Sequence, residues 1–116
     1  MIWALLGILL GIIIGLSTKY TIPLEYIKYT AVVIIGILDS LFGALKAEIA
    51  QNKYNTTIFV TGLIFNIVMA LGITLLGEKL GLDLYLAAAF VFTYRIFSNL
   101  GLVRRALINK LEKGKN

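Results

Sequence analysis

The sequence has 116 residues, 59% of them hydrophobic and only 15% charged, with 11 Lys and Arg against 6 Asp and Glu. Ordinary soluble domains sit nearer half apolar and a quarter charged, so the composition predicts a single domain whose solvent is lipid. Without Cys or His, disulfides, thiolate chemistry and the usual zinc sites are excluded. The basic excess lies near the predicted membrane boundaries, which points to anionic headgroups rather than nucleic acid.

Residues 2–16, IWALLGILLGIIIGL, carry no charge. Their length resembles a signal-peptide core, but no basic region precedes them and no small-residue cleavage site follows. They are read as a retained first span, short at roughly 24 Å. Gly7, Gly11 and Gly15 repeat every four residues, with Ala4 near the same face, a spacing that cuts a flat groove for a neighbouring helix. Pro23 and Glu25 then mark a new helix start, with Pro in the first turn and an acid at the positive end of the dipole.

The second span is placed at residues 26–47. Gly36, Asp39, Gly43 and Lys46 fall on one stripe of small and charged side chains, which is expected to face protein. Residues 48–57 read as a polar loop, with Asn55 or Thr56 as the cap of the next helix. The third span, residues 58–76, repeats Gly62, Asn66 and Ala70 every four residues, and Asn66 is its one strongly polar side chain at depth. A tight turn at Gly77–Gly81 leads to a fourth span at residues 84–103, with Arg95 and Asn99 one turn apart. The basic segment 104–116, with Arg104, Arg105 and Lys110, either continues that helix, lies along the headgroups, or is a solvated tail.

These elements predict an all-α integral membrane protein: about four transmembrane helices in a compact bundle over residues 1–103, with a basic cytoplasmic tail at 104–116. Lys46, Lys53 and the tail share one side and Lys19, Lys28 and Lys79 the other, so the positive-inside rule places both termini in the cytoplasm of a multi-pass cell-membrane protein. Asp39 and Arg95 lie about 12 to 13 residues into parallel spans, hence level at 1.5 Å per residue, and Asn66 reaches the same height from the opposite side. A buried polar layer of Asp39, Asn66 and Arg95 is expected, with Asn99 and Lys46 nearer the cytoplasmic face and Lys46 snorkelling. A structural ion pair, a ligand or ion site, and no direct contact all remain open for Asp39 and Arg95.

The chain also resembles a family. The segments Thr21-Ile-Pro-Leu-Glu-Tyr26, Leu38-Asp39-Ser-Leu-Phe-Gly43, Phe59-Val-Thr-Gly62 through Asn66, Leu82-Asp83-Leu-Tyr-Leu-Ala87 and Arg95-Ile-Phe-Ser-Asn99 to Arg105 are similar, in order and spacing, to the bacterial small basic protein family. These are small integral membrane proteins of uncharacterised function. Their genes often lie near cell-division genes, so the resemblance implies a role around division or envelope growth, and it offers no catalytic residue. A weaker resemblance, on Asp39, Gly43 and Lys46, is to phage holin-like proteins; the fourth span and Arg95 depart from that pattern.

The functional expectation is an interaction or assembly component that binds other membrane proteins or itself through its small-residue faces (Gly7, Gly11, Gly15, Gly36, Gly43 and Gly62). The alternative is an oligomeric holin-like pore or a small transporter-like protein. Enzyme activity, a cofactor or a bound metal is not expected: Asp39 has no second acid at its depth and there is no His or Cys to assist it.

Overall fold

The computed structural model describes residues 2–50 and 53–115, the side chains of Ala4 and Lys115 excepted. Helix α1 spans Ile2–Ser17, α2 Ile27–Ile49, α3 Thr56–Leu80 and α4 Leu84–Lys115, and a single 3-10 turn, Leu24–Tyr26, leads into α2. No strand occurs among the described residues. The helices α2, α3 and α4 are long and apolar enough to cross a membrane; α1 is a shorter apolar helix.

Local chemistry sets each boundary. Pro23 precedes the 3-10 turn with φ −56°, and its carbonyl accepts from Tyr26 N–H at 3.0 Å, so the proline starts a lead-in turn rather than α2 itself. Asn55 caps α3: its Oδ1 accepts from the amides of Thr57 at 2.8 Å and Ile58 at 3.2 Å, satisfying two donors that a helix start leaves open. Gln51 and Asn52 of the expected loop, and Ala4 as part of the glycine face, lie outside the described residues.

At its other end α3 runs on to Leu80, through most of the segment expected to be a turn, and stops at Gly81 in the left-handed conformation, φ 71°. Leu82 N–H donates to Gly77 O at 2.9 Å and Gly81 N–H to Glu78 O at 3.4 Å, the paired bonds of a Schellman ending. Gly77 is required there, because a Cβ at that position would stand 2.6 Å from Leu82 O. The chain then reverses into α4, which continues unbroken through Arg104, Arg105 and Lys110, the first of the three alternatives for the basic segment.

The three long helices pack on one another, with α2 against both α3 and α4. Their shared core is small: Val32, Ala70, Ala88 and Phe92 are buried, with Ile35 and Ile73 against them. Gly36 permits this closeness, since a Cβ there would lie 3.3 Å from the Phe92 ring. Large apolar side chains point outward instead, among them Phe65, Phe90 and Phe97.

Among the described residues three helices pack together and α1 stands apart, whereas four were expected in one compact bundle. Among the described residues α1 forms no packed interface with α2, α3 or α4, and a Cβ added at Gly7, Gly11 or Gly15 would meet nothing within 4 Å. The physical reason lies in α1 itself. Apart from Trp3 and Ser17, near its two ends, it has no side chain able to hydrogen-bond, so no interhelical hydrogen bond draws it onto α2, α3 or α4 and close backbone packing is the contact left to it.

Candidate functional site

The parallel course of α2 and α4, with α3 antiparallel between their ends, brings three polar side chains together midway along the bundle. Asp39 on α2 is 1% exposed. Its Oδ2 accepts from Asn66 Nδ2 of α3 at 3.1 Å and faces Arg95 Nη1 of α4 at 3.3 Å. One carboxylate oxygen thus links all three helices. Asn66 Nδ2 also reaches Ser40 Oγ at 2.9 Å and Gly36 O at 3.4 Å. Two amide hydrogens serve three acceptors, so at least one of these bonds is shared.

Asp39 and Asn66 are buried as a polar layer requires, but Arg95 is not: 54% of its side chain is exposed. Its guanidinium approaches Asp39 from the surface of the bundle, because three helices leave it no enclosing neighbour. The other carboxylate oxygen, Asp39 Oδ1, is buried without a hydrogen-bond partner among the described residues. Burying an unpaired acceptor beside a charge is costly, so the cluster is incomplete as it stands.

Asn99 is buried one turn further along α4 and joins none of these hydrogen bonds. It lies beside Gly43, where a Cβ would stand 3.7 Å from Asn99 Nδ2. Of the glycines expected to pack helices, Gly36 and Gly43 do so. Gly62 faces open space and forms part of a cleft of about 200 Å³ beside the cluster. Asp39, Arg95 and Asn66 line that cleft together with Lys53 and Asn55 from the α2–α3 connection. Lys46 is half-buried near the end of α2, and Arg104, Arg105 and Lys110 are exposed along the far part of α4.

A second polar group, not anticipated from sequence, sits where α2 and α4 begin. Lys28 Nζ pairs with Asp83 Oδ1 at 3.1 Å and lies 5.2 Å from the centre of the Tyr85 ring. The Tyr29 hydroxyl donates to Glu78 Oε2. Parallel helices place their first turns side by side, and that was the available signal: Lys28 opens α2 and Asp83 precedes α4. Ser40 was also missed; a serine next to an aspartate on the protein-facing stripe was the clue. Among the described residues no group of three or more Asp, Glu, His or Cys side chains converges as a metal site would require.

A small basic protein of Bacillus subtilis is 45% identical over 105 residues, covering 90% of this chain and 86% of its own. An uncharacterized protein of Mycobacterium bovis is 30% identical over 99 residues, covering 84% of this chain and 81% of its own, and an uncharacterized protein of Mycobacterium tuberculosis aligns with the same identity and coverage. No solved structure matches the chain. Residues 22–108 match the family described as protein of unknown function, DUF1290, a match that takes in α2, α3 and the polar cluster, and the chain accordingly belongs to this family of small basic proteins.

Proposed function

We propose that the protein is a multi-pass membrane protein that works by association, as an assembly component that joins other membrane helices, its own copies included. The observation that carries this reading is the uncovered α1: a 16-residue apolar helix whose Gly7, Gly11 and Gly15 face has nothing against it among the described residues. A flat glycine face lets a second backbone approach closely, which is how helices gain packing energy in lipid.

The membrane assignment rests on the inverted distribution of side chains. The core is confined to a few residues, Val32, Ala70, Ala88 and Phe92, while Phe90, Phe97 and Trp3 face outward, the arrangement suited to a hydrocarbon solvent. Lys46, Lys53, Arg104, Arg105 and Lys110 gather at one end and Lys28 and Lys79 at the other, so the α2–α3 connection and the end of α4 are assigned to the cytoplasm, against anionic headgroups. That part of the assignment holds whether or not α1 crosses. The resemblance to proteins encoded near division genes directs the reading toward the envelope or division apparatus. Catalysis is not part of the proposal. A single-chain pore is disfavoured by the small packed core, which leaves no broad path between α2, α3 and α4.

The test is crosslinking in cells of the tagged full-length protein, wild type against Gly11→Leu, with Ile13→Leu as a change on another face of α1. Specific crosslinked species, self or partner, are expected in wild type and Ile13→Leu, and are expected to fall several-fold in Gly11→Leu. Equal recovery from all three would remove the glycine face from the explanation and the proposal with it.

A further inference from the structure

The polar cluster has a donor–acceptor pattern that the chain leaves unfinished. Asp39 Oδ2 takes both neighbours, while Oδ1 has no hydrogen-bond partner among the described residues. Arg95 presents one nitrogen to Asp39, yet 54% of its side chain is exposed, and a guanidinium carries five N–H donors. A buried, unpaired acceptor and partly exposed donors therefore belong to neighbouring side chains. Both residues line the cleft of about 200 Å³, room for several water-sized groups at about 30 Å³ each.

We propose that this cleft binds a small zwitterion of the amino-acid class, its ammonium group donating to Asp39 Oδ1 and its carboxylate accepting from Arg95. Net charge selects this class. At the inner end of the cleft Asp39 and Arg95 sum to zero, while Lys53 stands at the far end beside the α2–α3 connection, so a ligand with net charge held by that pair leaves an uncompensated ion there. A zwitterion adds none, and its dipole runs antiparallel to that of the pair. Oδ1 is covered in this conformation, so the ammonium reaches it only as the side chains around Asp39 shift, while Arg95, half exposed, is free to meet the carboxylate.

The cleft also gives a route. Asp39 lies ten residues before the end of α2 at Ile49, about 15 Å of helix, and the far end of the cleft is lined by Lys53 and Asn55. A water-soluble ligand enters from that side. Gly62 keeps the wall open, since a Cβ there meets nothing within 4 Å. The site lies within α2, α3 and α4, so it goes beyond the association role assigned to α1 and stands or falls separately from it.

The experiment is equilibrium dialysis of the purified full-length protein in maltoside micelles against radiolabelled glycine, alanine, serine and glutamine, with acetate and methylamine as the two halves of the zwitterion. Retention of at least one amino acid is expected, with acetate and methylamine bound about tenfold more weakly or less, as when one of two charge-assisted contacts is lost. Asp39→Asn weakens binding but also threatens the fold, so Gly62→Leu is the decisive variant: it fills the cleft without touching the cluster and is expected to abolish retention. Gly72→Leu, an equally open position on α3 that does not line the cleft, is expected to bind as wild type. The proposal is overturned if no amino acid is retained, if Gly62→Leu binds as well as Gly72→Leu, or if acetate binds best. It is likewise overturned if short-chain phosphatidylethanolamine binds at Gly62-dependent sites while free amino acids do not, since that assigns the cleft to a lipid headgroup.

Discussion

Among the described residues two ion pairs tie α2 to α4 and the residue before it, and they stand at different levels of the bundle. Lys28 and Asp83 meet where both helices begin, with side chains 57% and 63% exposed, while Asp39 and Arg95 meet midway, with Asp39 fully covered. The distances are nearly equal, 3.1 and 3.3 Å, so geometry alone would rank them alike. Surroundings separate them. An exposed pair exchanges water for a partner at little gain. A covered carboxylate has already lost its water, so removing its partner leaves a buried charge behind. The midway pair should thus dominate the response to mutation even though it need not stabilise the fold beyond what an apolar pair would.

The largest expected effect follows from breaking that pair on one side. Arg95→Gln leaves Asp39 with Asn66 alone, and a loss of about 2–4 kcal/mol is expected, below the full cost of a wholly buried pair because Arg95 is half exposed. Asp39→Asn combined with Arg95→Gln removes both charges and is expected to recover at least about 1 kcal/mol relative to the sum of the single changes. Thermal unfolding in micelles and accumulation in cells read both quantities. A double variant no better than the sum would mean that the two residues do not act as a pair.

The next effect is at the other level. The exposed pair sits beside the α3–α4 reversal, where Gly77 admits Leu82 O to the place a Cβ would occupy at 2.6 Å. Gly77→Ala must displace backbone, not a flexible side chain, and a loss of about 1–3 kcal/mol is expected, with Gly72→Ala on the same helix as the tolerated control. This sharpens the contrast: midway along the bundle a side-chain charge holds the helices, and at their outer ends a backbone turn does. If Gly77→Ala unfolds at the wild-type temperature, the turn does not hold that end.

What the sequence made legible follows from rigid geometry. Helical rise and antiparallel order bring Asp39, Asn66 and Arg95 to one level, and the cap at Asn55 is a local hydrogen-bond pattern readable from residue type. The features it concealed depend on neighbours. Arg95 reads as buried if four helices surround it and as exposed when only three do. Gly7, Gly11 and Gly15 have the same spacing as a packed face, yet spacing does not say whether a partner is present. Gly77 read as one glycine of a tight turn rather than as part of α3, because its requirement comes from Leu82 O folding back after the reversal. The basic segment around Arg104 could be helix or tail by composition; in the structure it extends α4.

The smallest expected effect tests the exposed pair directly. In Lys28→Gln with Asp83→Asn, the ion pair is lost, and so is the contact of the ammonium with the Tyr85 ring, while Tyr29 still donates to Glu78. The loss should stay below about 1 kcal/mol. It should also shrink with added salt, because charges in contact with water are screened over roughly 8 Å at physiological ionic strength, whereas the Arg95→Gln effect should change little. Unfolding of both variants at low and high salt compares the two levels in one measurement. A Lys28–Asp83 effect as large and as salt-resistant as that of Arg95→Gln would mean that the first turns of α2 and α4 are shielded from water, and that the contrast drawn from exposure belongs to the isolated chain and not to the protein in its assembled state.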